Sequence, residues 1–153
     1  MVKAGTRLVN RQALAKMDKS RAFGELRQLI FSGQHPKVRR DAAYGLALYR
    51  SEDAISALLT AHEQGGLLPV HQVAFNVAQC GPTDTTLLEL LRSLNRHKQK
   101  LAIAVIERLV ADNMHQRRLG MEVAAAVHKL LQESEIAMPS HRQEKLSAWA
   151  NSV

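Results

Sequence analysis

A chain of 153 residues, 46% hydrophobic and 23% charged, is long enough to bury a core and is composed like one ordinary globular domain, not like a disordered or fibrous chain. Its one cysteine, Cys80, excludes an internal disulfide, and no run approaches the roughly 18 apolar residues of a membrane span. The net charge of +7 is unevenly placed: residues 1–40 carry +8, residues 41–91 carry −5, residues 92–118 carry +5 and residues 119–153 carry −1. Such a distribution points to an anionic partner, or to contact between the basic end and the acidic middle.

Only 4% of residues are aromatic, so the core falls to Leu, Ala, Val and Ile. Leu and Ala are strong helix formers. The opening stretch MVKAGTRLVNRQALAKMDK lacks an apolar core long enough for a secretory signal. With the lone cysteine, this sets the expectation of a reducing, cytoplasmic setting.

In chain order, a basic amphipathic helix is expected near 8–18, with Leu8, Val9, Leu14 and Met17 opposite Arg7, Arg11 and Lys16. It reads as a cap on the first helix pair, and a membrane surface or an acidic groove would suit it too. Helices are then predicted at 21–32, 36–49, 53–64, 69–80, 84–95, 98–111, 114–133 and 140–151. Apolar residues fall on one face at helical spacing, as in Leu26/Leu29/Ile30, Ile55/Leu58/Leu59 and Leu87/Leu90/Leu91. The separators are Gly33 to Pro36, Gly65-Gly66 to Pro69, Gly81-Pro82, Asp112-Asn113 and Pro139. Pro36 and Pro69 stand where a first-turn proline belongs, and Asp53 and Asp84 where an N-cap or first-turn acid belongs.

The helices pair as 21–32 with 36–49, 53–64 with 69–80, and 84–95 with 98–111. Ala42, Ala74 and Val105 then correspond at steps of 32 and 31 residues, and Leu58 and Leu90 at 32. Two helices per unit at a period near 30 residues is the signature of an α-solenoid. Within HPKVRRDAAYGLALY, the residues Pro36, Val38, Arg39, Ala42, Ala43 and Leu46 resemble the second helix of a HEAT-type repeat: turn proline, Val-Arg, a small pair and a following Leu. The second unit, LPVHQVAFNVAQCG, keeps Pro69, Val70 and Ala74 but has His71 in place of Arg. The third, HKQKLAIAVIERL, lacks the proline. The resemblance spans roughly residues 20–112 and implies an all-α solenoid of HEAT-like helix pairs, with an irregular helical bundle as the alternative. The expected organisation is a single domain over 1–153: a basic capping segment at 1–19, three helix pairs over 20–112, and capping helices over 113–153. Val38, Ala42, Leu46, Val70 and Ala74 are expected to be buried between adjacent pairs.

No constellation announces a chemistry. The seven histidines include no pair at the i, i+4 spacing of a helical zinc site, and no phosphate-cradling loop, nucleophile elbow or dinucleotide fingerprint is present. No catalytic residue, metal or cofactor is expected. Cys80, at a helix end before Gly81-Pro82, reads as a packed, inert thiol. Trp149 reads as a seal over the last helices. Lys37, Arg39 and Arg40 crowd one helix start; Arg96, Lys98 and Lys100 crowd another; Arg117 and Arg118 come next along the chain. In stacked helix pairs the first two clusters would fall on one edge as a basic stripe, suited to phosphate or an acidic protein segment; the alternative is a solvated rim.

The function these features favour is a non-catalytic binding module: an adaptor or scaffold holding a protein partner, with an acidic surface, through a groove or edge. The first alternative is a nucleic-acid-binding accessory protein gripping phosphates with the basic clusters. The second comes from the resemblance, since some HEAT-like proteins are DNA glycosylases. Those rely on aromatic side chains and a carboxylate in a cleft, which this acidic-centred chain with one tryptophan does not signal. The bilin lyases, also HEAT-like, find no discriminating feature here. The acidic middle, taken as lining the groove, weighs against a polyanion.

Overall fold

The computed structural model describes residues 19–32, 35–64, 66–116, 118–133 and 138–153. The helix expected at 8–18 lies outside the described residues. Eight α-helices are present and no strand occurs among the described residues: α1 Lys19–Ser32, α2 Pro36–Ala47, α3 Glu52–Glu63, α4 Val70–Cys80, α5 Asp84–Leu91, α6 Arg96–Ala111, α7 Met121–Gln132 and α8 Ser140–Ser152. No helix among the described residues is long and apolar enough to cross a membrane.

Local chemistry sets most boundaries. Pro36 opens α2 as its first residue, and Pro69 is the N-cap of α4 rather than its first turn. Ser51, Thr83 and Asn95 accept the N–H of Ala54, Thr86 and His97 at 3.2, 3.1 and 2.9 Å, capping α3, α5 and α6. Asp53 and Asp84 fall in first turns, where the helix dipole favours a negative charge. Gly81, at φ 68°, ends α4 in the left-handed conformation that glycine takes without strain.

Two boundaries depart from the sequence reading. Helix α5 stops at Leu91, one turn before the expected 95, because Ser93 and Asn95 turn their side chains onto the backbone N–H groups of Asn95 and His97. The helix expected at 114–133 starts only at Met121. A short 3₁₀ turn, Met114–Gln116, precedes it. His115 there has φ 61°, and one ring nitrogen, Nε2, lies 2.8 Å from the Ala78 carbonyl oxygen. That tie to the end of α4 holds the chain out of a continuous helix.

Packing is sequential. The principal contacts join each helix to its neighbour in sequence or to the next but one. The odd-numbered helices keep their starts side by side. The Tyr49 hydroxyl before α3 donates to the Lys19 carbonyl, Thr86 of α5 donates to Glu52 of α3 at 3.1 Å, and the Gly120 N–H before α7 donates to Asp84 of α5 at 3.0 Å. Helices α2, α4 and α6 keep their ends side by side. Cys80 meets the Ala47 carbonyl at 3.7 Å, and His115, after α6, meets Ala78. These three helices therefore run in one direction, with α4 in the middle. Helix α8 breaks the pattern: Arg142 in its first turn forks onto Glu107 of α6, while Trp149 and Ser152 lie near Leu109 and Asn113. Its contacts with α6 fall on the last turns of that helix, so it does not stand along the row as α4 does.

The core is aliphatic, as composition demanded. Ala42, Ala74 and Val105, the corresponding residues of successive pairs, are all buried, as are Leu58 and Leu90. Leu46 is fully buried. Small residues at 42, 43, 47, 74 and 78 let α2 and α4 approach closely. The expectation fails at Val38 and Val70, which are 40% and 44% exposed. Both stand in the first turn of their helices, and the shared seam begins one turn later, at Ala42 and Ala74. Leu29 is likewise 44% exposed, while Ile30 beside it is fully buried.

Candidate binding surface

Because α2, α4 and α6 run in parallel with their ends together, their starts share the opposite edge. Lys37, Arg39 and Arg40 on α2 and Arg96, Lys98 and Lys100 on α6 therefore lie along one side of the molecule, flanking His71 at the start of α4. A cavity of about 380 Å³ marks this edge, lined by His62 and Glu63 at the end of α3, Gly66 in the turn after it, Asn95 at the cap of α6, and His97, Lys98 and Leu101 on α6. The basic residues are not equivalent. Lys37, Arg40, Arg96 and Lys100 are exposed. Lys98 lies 3.4 Å from Glu63, which takes part of its charge. Arg39 is half-buried, and its Nε has no hydrogen-bond partner among the described residues.

Arg118 does not join this edge. It lines a cavity of about 540 Å³ at the far end of α6, with Leu109, Val110, Leu119 and Trp149. Arg117 lies outside the described residues. Trp149 is half-buried against the core there, and the described lining residues of this cavity include no Asp or Glu side chain.

The acidic middle sits elsewhere than the sequence reading supposed. Five of the six acids in residues 41–91 belong to the odd-numbered layer: Glu52, Asp53 and Glu63 on α3, and Asp84 and Glu89 on α5. Glu52, Glu63 and Glu89 line a cavity between those two helices. Helix α4, between the two basic clusters, carries no acid at all. Residues 41–91 alternate between layers, so their summed charge of −5 describes neither one.

Sequence reasoning missed the apolar part of the α2–α4–α6 face. On α2 the outward residues Lys37, Arg40 and Tyr44, continued by Leu48 at its C-cap, succeed one another at steps of three and four and form one stripe. Tyr44 is 50% and Leu48 64% exposed. On α4 the outward residues Gln72, Phe75 and Gln79 are only half-buried, while on α6 His97, Lys100 and Arg108 are exposed. Helix α4 is thus recessed between its neighbours and forms the floor of a shallow trough. The Arg108 guanidinium stands 5.8 Å from the centre of the Phe75 ring, within cation–π range. The signal was the exposed half of each helix period, which in an Ala- and Leu-rich chain resembles core.

Comparison with protein-family models, curated proteins and solved structures found no match.

The remaining reactive groups are quiet. Cys80 is buried, and burial with the nearby Glu52 pushes its thiol from 9.0 up to about 11, Arg50 opposing. No group of three His, Cys, Asp or Glu that would hold a metal ion occurs among the described residues. Arg142 is held above its usual range by its hydrogen bonds to Glu107.

Proposed function

We propose that this protein is a non-catalytic binding module, an adaptor built from HEAT-like helix pairs that holds a protein partner on the α2–α4–α6 face. The observation that carries the reading is the parallel row of these three helices with Tyr44 and Leu48 left open on its surface. Half-exposed apolar side chains in a trough rimmed by charge are what a protein interface uses at its centre. The α1–α2, α3–α4 and α5–α6 pairs support a short solenoid: corresponding residues are buried at a step near 32, and each pair touches mainly the next.

A second reading, phosphate-backbone binding by an accessory protein, is favoured by one observation: no acid on α4 separates the clusters at 37–40 and 96–100. Against it stands the small number of aromatic platforms for bases. Equilibrium binding to labelled duplex and single-stranded oligonucleotides at two salt concentrations separates the two. The adaptor reading expects weak binding near physiological salt. Submicromolar affinity that survives there, and is abolished by reversing Arg39, Arg40, Lys98 and Lys100 to Glu, overturns it in favour of nucleic acid.

A further inference from the structure

We infer that the trough over α4 takes an acidic amphipathic segment of a partner protein, docked as a helix along α4 with carboxylates on its flanks. The inference rests on the adaptor reading and adds the chemistry of the partner.

The trough has a floor and two unlike walls. Phe75 lies half-buried on the floor. Tyr44 and Leu48 on α2 form an apolar wall, with Arg40 one turn before Tyr44 on the same stripe. Arg108 on α6 stands on the opposite side, against Phe75. Packed helices lie about 8–10 Å apart, so the α2 and α6 axes stand roughly twice that apart on either side of α4, and a helix about 10 Å across lying over α4 would have one flank toward each. From Arg40 to Leu48 the stripe rises about 12 Å, matching a little over two turns of a partner helix. Apolar side chains at i, i+3 and i+4 of that helix would meet Tyr44, Leu48 and Phe75. Its flanking positions would then face Arg40 on one side and Arg108 on the other. Charge complementarity selects acids there. Of the two carboxylates on this face, Glu107 is already held by the Arg142 fork at 2.9 and 2.5 Å, which leaves Asp41 opposed by Lys37 and Arg40. A nucleic-acid backbone would gain the same cations but would leave Leu48 and Tyr44 facing sugar and phosphate.

The test is selection of a phage-displayed library of random 16-residue peptides on the immobilised full chain, followed by anisotropy with the enriched peptides. The expected pool is net acidic, with apolar residues at helical spacing. Its peptides should lose at least tenfold in affinity for the Arg40→Glu/Arg108→Glu variant, and exchanging their acids for Lys should restore binding to that variant. Tyr44→Ser should weaken the same peptides while circular dichroism stays unchanged. A pool that is neutral or basic yet still depends on Tyr44 overturns the acidic assignment and leaves the adaptor reading standing. Enrichment that is indifferent to Tyr44, Arg40 and Arg108, or no enrichment at all, overturns both.

Discussion

Asn76 is the one buried polar side chain in the core among the described residues, fully inaccessible on α4, and neither of its amide atoms has a hydrogen-bond partner there. An orphaned buried donor or acceptor costs about 1–3 kcal/mol, so the pair costs at least ~2 kcal/mol. Asn76→Ala removes both. It also raises helix propensity by about 0.6 kcal/mol. The amide occupies roughly the ~30 Å³ share of one water molecule. At about 24 cal/mol per Å³, the cavity left behind returns some 0.7 kcal/mol. The balance is a stabilisation near 2 kcal/mol. For a chain of this length that is a rise of about 4–8 °C in Tm, at roughly 2–4 °C per kcal/mol. Urea unfolding followed by circular dichroism should show a higher midpoint at an unchanged slope. A loss of 1 kcal/mol or more would refute the reasoning, because it would mean that the Asn76 amide is satisfied in the folded protein.

Ala42→Arg should cost more than 3 kcal/mol and leave little folded protein, because it drives a cation into the contact of α2 with its neighbours; expression and thermal melting check this. Arg40→Glu, on the exposed side of the same helix, should change stability by less than about 0.5 kcal/mol in the same assay. Cys80 should resist thiol reagents in the native protein at pH 8 and react once the chain is unfolded in urea. Its folded pKa, about 11, lies above the ordinary 9.0, so the contribution is intact below pH 9 and is lost as the pH climbs toward 11. Over that range the wild type should lose urea stability relative to Cys80→Ala; parallel titrations that never diverge would contradict the burial.

Much of the fold was legible because caps and apolar periods are local. Pro36 and Gly81 mark ends by their own backbone conformation, and Asp53 and Asp84 mark first turns, while the capping hydroxyls of Ser51 and Thr83 beside them went unread. The all-helical class followed from aliphatic stripes with few aromatics. What misled was also local. Leu94 continues the α5 period, yet it is fully exposed, because Ser93 and Asn95 had already ended the helix. His115 breaks the next helix through a contact with Ala78, 37 residues away, that no window of sequence contains. At the surface, the clusters at 37–40 and 96–100 could be placed on one edge from the period alone. Arg118, next along the chain, lies at the far end of α6, where it lines the cavity beside Trp149. The acids were misplaced for a related reason: a charge summed along the chain mixes two layers that face opposite ways.

The central claim, that this protein holds a protein partner on the α2–α4–α6 face, is tested most directly by capture from native lysate with and without nuclease. Wild-type chain and a Tyr44→Ser/Leu48→Ser variant serve as paired baits, each first shown to melt alike. The adaptor account predicts a stoichiometric protein partner that nuclease does not release and the variant does not capture. Recovery that vanishes with nuclease, or that is the same on both baits, would contradict it.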